Sequence, residues 1–292
     1  MRFKAIYKNK PPKYKFFCLL LLFIFSFLIF MQFGNIAINF FFDRDLIENQ
    51  DLENKQYVNS LKVMQLFLTL GIFVIPMFLY AHLISFDFKF KNIVRQNVIL
   101  IITIMLIIVP FVAMLTQFNL SIKAPDWLNQ IDAESDLTIN ALLKMDSNVD
   151  FLFNLLIIAI MPAVGEELFF RGYLQQTIIK WTISPHIGII ITAILFSVIH
   201  FQFYGLIPRF ILGVLLGYTF LWSNNLWLPI IAHFVNNAHV LIISFIYNDQ
   251  NRIMLSNNVD PTTGIFSFLG AALLMYLLYQ SCYFRNNKTQ KS

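Results

Sequence analysis

The chain has 292 residues, 58% of them hydrophobic and 13% charged, with a mean hydropathy of +0.67 and 33 phenylalanines. A soluble domain carries about 25% charged residues, so the composition excludes a water-soluble globule, and its apolar content excludes disorder. The net charge of +5 does not mark a nucleic-acid-binding face, because six of the 21 Lys and Arg lie in the first 15 residues and others flank apolar runs, where they anchor a membrane protein at the cytoplasm.

Crossing a bilayer as a helix takes ~20 mostly apolar residues. Eight segments qualify as candidates: 16–40, 62–86, 96–117, 151–178, 186–203, 207–222, 227–247 and 264–284. The first follows a basic stretch but is longer than a signal peptide's apolar region, which runs to about 15 residues, and reads as an uncleaved anchor. Loop charges alternate: residues 1–15 carry six positive charges and no negative one, 42–60 sum to −3, 87–95 to +2 and 118–150 to −4, and the tail adds Arg285, Lys288 and Lys291. Under the positive-inside rule this predicts an all-α polytopic membrane protein of about eight transmembrane helices with both termini cytoplasmic. The expected organisation is a basic cytoplasmic N-terminus (1–15), three N-terminal spans (16–117), an extracytoplasmic loop with a short interfacial helix (118–150), a helical core (151–250), and a last span (264–284) with a basic tail. The 118–150 segment is expected to be mainly a connector. Cys18 and Cys282 read as ordinary span residues.

Ionisable side chains inside spans cost roughly 2.5–3.5 kcal/mol each at a helix centre, and few persist without a role. Most of them here fall between 166 and 239. In Gly165-Glu166-Glu167-Leu168-Phe169-Phe170-Arg171, Glu167 and Arg171 are four apart and can pair on one helical face, while Glu166 points about 100° away. That predicts a structural ion pair beside a reactive carboxylate. Glu166 lies 16 residues before Thr182 and His200 lies 15 after Pro185, so both sit ~22–24 Å from the intervening turn, level on antiparallel helices. A carboxylate and an imidazole in reach of one another form a general base and its partner. His233 and Asn237 share a face of the seventh span and could donate to an oxyanion, or His233 could ligate a metal. His239 reads as packing, and His186 and Arg209 read as interfacial.

The three patterns, Glu166-Glu167…Arg171, Phe196…His200 and His233…Asn237, together resemble the CPBP family of intramembrane proteases. That family includes the type II CAAX prenyl proteases and the bacterial Abi, or bacteriocin-processing, proteins. The resemblance covers roughly residues 150–250. It implies an endopeptidase, a membrane-bound hydrolase whose cavity opens towards the cytosol. In it Glu166 and His200 would activate water, and His233 and Asn237 would hold the oxyanion. Glu167, Arg171 and Phe196 would support the site. No cofactor is favoured; a zinc alternative would use Glu166, His200 and His233, although no H-E-x-x-H motif is present. The implied partners are the lipid bilayer and a peptide or small membrane-protein substrate, lipidated or not. A non-enzymatic role in bacteriocin immunity or transport is the rival reading, although no internal repeat supports a transporter. The Phe/Ile/Asn/Lys-rich composition points to a bacterial cytoplasmic membrane.

Overall fold

The computed structural model describes residues 5–43, 50–247 and 259–289, without the side chains of Pro12 and residues 284–289. The charges expected at Arg2, Lys4, Arg44, Asp45, Glu48 and Lys291, and the side chains of Arg285 and Lys288, lie outside the described residues. Among the described residues there is no strand. The helices are α1 (Pro12–Phe41), α2 (Lys55–Ile84), α3 (Arg95–Leu120), α4 (Asp126–Leu142), α5 (Asn148–Thr182), α6 (Pro185–Val198), α7 (Leu206–Ser223), α8 (Trp227–Tyr247) and α9 (Pro261–Thr289). Seven of them are long and apolar enough to cross a membrane; α6 is apolar but has only 14 residues, and α4 is the amphipathic exception. With α6 counted, the span total agrees with the eight read from hydropathy.

Side-chain chemistry sets the boundaries. Asn54 caps α2 by accepting from the backbone N–H groups of Gln56 and Tyr57, and Ser147 caps α5 through the N–H of Asp150. Such caps supply acceptors for the orphan donors of a helix's first turn. α5 stops at Ile183 and α7 at Asn224, both with positive φ. Ser184 and Pro185 then open α6, Pro suiting a first helical turn because its missing N–H has no partner there anyway. Pro76 and Pro162 withdraw a donor inside α2 and α5, and each helix widens just before the proline into a π turn, at Leu70–Val74 and Leu155–Ile160. A third π turn, Phe170–Gln175, follows the Glu-Glu pair. Pro110 breaks α3 at Ile108.

Packing follows membrane rules, with small residues admitting close helix approach. A methyl group on Gly165 would lie 2.8 Å from Cβ of Phe73, and one on Gly213 would lie 3.1 Å from Cβ of Ala193. The outer surface exposes Phe, Ile and Leu along α1, α6 and α9, as a lipid-facing surface does.

The two ends of the bundle differ. At one end the backbone of Ala5 and Tyr7 bonds to His82 and Leu83, and Leu226 and Asn225 bond to the 89–92 loop. That end holds the 85–94 loop with Lys89 and Lys91 and the α7–α8 turn. At the other end, Lys55 pairs with Asp146 and Asp150, and Lys144 with Glu53. α4 lies at this second, acidic end.

Candidate functional site

The site is built on α5. Glu167 and Arg171 form an ion pair at 2.6 Å with both side chains fully buried. Arg171 also donates to the Gly213 carbonyl at 3.0 Å and stands 4.6 Å from the Phe196 ring centroid. One turn on, Gln175 donates to the Gly217 carbonyl at 3.0 Å. The glycines at 213 and 217 let α7 come close enough for these side chains to reach its carbonyls. Two buried charges need such partners, and these two are not fully satisfied: Oε2 of Glu167 and Nε of Arg171 have no hydrogen-bond partner.

Glu166 points into a cavity of about 880 Å³. His200, His233, Asn236, Asn237, Arg209 and Gln202 line the same cavity, with Phe196 in its wall. The Glu166 side chain keeps 15% exposure, and its Oε2 has no hydrogen-bond partner. His233 binds Glu167 through Nδ1 at 2.9 Å, and its Nε2 is 4.0 Å from Oε2 of Glu166. A carboxylate only accepts, so Nδ1 carries a proton and the Nε2 edge is the one turned towards Glu166. Asn237 donates to the Ile158 carbonyl at 3.2 Å and accepts from Asn236. The Phe196 ring stands edge-on to both His200 and His233, with centroids at 5.3 and 5.8 Å.

The arrangement departs from the sequence reading in four respects. His200 shares the cavity with Glu166, but no bond joins them: α6 ends at Val198, and His200 turns Nδ1 back to the Phe196 carbonyl at 2.8 Å. Its position beyond the helix end breaks the register on which the expected pair rested. His233 is tied to Glu167, a contact the helical faces alone did not predict. Arg209, expected at the interface, lines the cavity. Finally, the 118–150 segment is more than a connector, because Ile131, Glu134, Ser135, Thr138, Ile139 and Leu142 of α4 form one wall.

Buried polar groups fasten that wall. Asp132 accepts from the backbone N–H groups of Phe203 and Tyr204 at 2.9 and 2.8 Å, and Asn129 accepts from the Tyr204 hydroxyl at 2.7 Å. Lys62 and Asn154 donate to the carbonyls of Lys144 and Leu142. Asn119 holds the same linker through the Phe203 carbonyl and the Ile207 N–H. Each is a polar residue inside or beside a span, the one sequence signal that could have flagged it. Asp136, one turn after Asp132 on α4, has its carboxyl pushed up by burial and by the neighbouring Asp132 charge.

Towards the basic end, Arg171, Gln175 and Thr219 are fully buried. The cavity therefore belongs to the α4 end of the bundle. Among the described residues no three His, Cys, Asp or Glu side chains are grouped to hold a metal.

Residues 148–239, the stretch that carries these side chains, match the family model described as Rce1-like, type II CAAX prenyl endopeptidase. An uncharacterized protein of Bacillus subtilis, YpbD, is 32% identical over 89 residues, covering 29% of this chain and 42% of that protein. The chain thus spans less than half the length of the relative it matches. No solved structure matches it.

Proposed function

We propose that this protein, with its Rce1-like core, is a CAAX-protease-like intramembrane endopeptidase that hydrolyses a peptide bond with a water molecule activated at Glu166. The observation that carries this reading is the unpartnered Oε2 of Glu166, held in one cavity with the imidazoles of His200 and His233 and the amides of Asn236 and Asn237. As the carboxylate, Glu166 takes a proton from water as the oxygen attacks the scissile carbonyl carbon. His200 spends its Nδ1 hydrogen on Phe196, which leaves an Nε2 lone pair for the second hydrogen of the water. The tetrahedral oxyanion needs donors. Asn237 has a second amide hydrogen, and His233 in its doubly protonated form offers Nε2–H while Glu167 holds Nδ1–H. Collapse of the intermediate expels the amine, which takes its proton from Glu166. Phe196 and the Glu167–Arg171 pair hold both imidazoles in position.

We further infer that the cavity is reached from the extracytoplasmic face of a bacterial cytoplasmic membrane. α4 walls it at the acidic end, and the end carrying Lys89 and Lys91 is cytoplasmic by the positive-inside rule. The substrate class is then a membrane-anchored or apolar peptide presented at that face. Cysteines placed at Ser135 and Thr138, with Cys18 and Cys282 replaced by serine, should react with an impermeant maleimide on intact cells. Labelling only after lysis would reverse the orientation.

The enzymatic test is cleavage of lipidated and unlipidated apolar peptides by detergent-purified protein, comparing wild type with Glu166→Gln, each with and without a strong chelator. Cleavage lost in the variant and retained with chelator fits water activated by glutamate. Loss with chelator and recovery with zinc would favour the metalloprotease alternative. Absence of any cleavage by folded protein would favour the immunity or transport role.

A further inference from the structure

Two arginines lie in the core, and they differ in what they touch. Arg171 is held by a carboxylate, a carbonyl and an aromatic face, with its Nε left without a hydrogen-bond partner. Arg209 sits in the first turn of α7, lines the cavity and donates only to two oxygens of Gln202, its backbone carbonyl and its side-chain Oε1. Both acceptors are neutral. No ion pair within 4.0 Å reaches Arg209 among the described residues. The acids whose charges act on it are Asp132, Glu166 and Asp136; two backbone N–H groups engage Asp132, and none of the three forms an ion pair with Arg209. A guanidinium has five donors, so most of those of Arg209 are unspent. Gly205 makes room for it: a methyl group there would collide with the guanidinium itself. An unpaired cation at the head of an apolar helix is costly, and one held ready inside a cavity fits an anion that arrives with a ligand.

We propose that Arg209, positioned by Gln202 and Gly205, forms a subsite for a carboxylate carried by the peptide substrate. The proposal rests on the endopeptidase reading for its substrate, and on its own geometry for the anion. The carboxylate can be the C-terminal group of the peptide or an acidic side chain near the cleaved bond. Arg209 fixes the register of the chain relative to Glu166 and takes no part in bond breaking.

The test uses full-length protein in micelles and three apolar peptides of one sequence: a free C-terminal acid, its C-terminal amide, and the amide with one internal Glu. Each is measured for cleavage by wild type, Arg209→Gln and Gln202→Glu. Binding is followed by fluorescence anisotropy on Glu166→Gln, alone and combined with Arg209→Gln. The expected result is a preference of about 10- to 100-fold in KM or Kd for a carboxylate-bearing peptide over the plain amide, the range of a charge-assisted hydrogen bond. Arg209→Gln should collapse it. Gln202→Glu, which supplies Arg209 with an internal carboxylate, should weaken it without removing the cation. Preference for the free acid assigns the C-terminal group; preference for the Glu peptide assigns a side chain. Equal cleavage and binding of all three by wild type would overturn the subsite and leave the endopeptidase standing. Carboxylate-selective binding without cleavage by wild type would keep the subsite and overturn the endopeptidase.

Discussion

Replacing Arg171 by methionine tests whether the ion pair is the keystone of the site. The side chain is fully buried, 2.6 Å from Glu167, and also serves the Gly213 carbonyl and the Phe196 face. Arg171→Met leaves the buried Glu167 carboxylate with His233 as its remaining polar partner at 2.9 Å. Removing one member of a buried pair costs about 3–5 kcal/mol, chiefly because the other charge is stranded. The lost carbonyl bond and ring contact, about 1 kcal/mol each, lie inside that figure because the three contacts are coupled. The double variant Glu167→Gln/Arg171→Met strands no charge and should cost less than Arg171→Met alone. The assay is equilibrium unfolding in mixed micelles with a denaturing detergent, read by circular dichroism, for the two singles and the double. A cost below about 1 kcal/mol for Arg171→Met, or a double variant as destabilised as the sum of the singles, would refute the argument.

Gly165→Ala puts a methyl group 2.8 Å from Cβ of Phe73 and should cost about 1–3 kcal/mol by overpacking; thermal unfolding measures it, and an unchanged Tm would mean that α2 and α5 part freely. Asp132→Ala orphans the N–H groups of Phe203 and Tyr204 at about 1–3 kcal/mol, and hydrogen exchange at those two amides should accelerate while α8 stays protected. Because the Asp136 carboxyl is pushed up from its usual 3.8, the native state favours its protonated form. The stability it lends is complete below the unfolded pKa and is lost as pH rises through the folded one. Because Asp136 is largely exposed, solvent screens the effect, and Asp136→Asn should raise Tm only slightly at neutral pH and match wild type at pH 3; a lower Tm at neutral pH would contradict the shift.

Much of this was legible in the residues. Charged side chains in apolar helices are few, so the costly ones stand out, and the four-residue spacing of Glu167 and Arg171 fixes their shared face. The short gap between the 207–222 and 227–247 spans was equally visible. The His200 contact was not, because height along a helix can be counted only while the helix lasts, and α6 ends two residues too soon. The cavity-lining places of Arg209 and α4 escaped for a related reason. Arg209 is held by Gln202 across the bend that opens α7, and α4 by the bonds between Asp132 and the 203–204 backbone, and neither kind of contact leaves a periodicity in the sequence.

The brevity of α6 has a consequence for the lipid. Its 14 residues span about 21 Å at 1.5 Å per residue, some 9 Å less than a typical hydrocarbon core. The bilayer beside Val198, Ile199 and Phe201, all exposed apolar side chains, must thin to meet it. Such a mismatch costs fractions of a kcal/mol per ångström. Under the proposed endopeptidase function, a substrate helix drifting into that dimple would lose part of its hydrophobic cover next to His200, where its backbone would have to unwind before cleavage. Reconstitution in lipids of increasing acyl length should then slow turnover with the chemistry of the cavity unchanged, and a rate indifferent to bilayer thickness would show that the dimple plays no part.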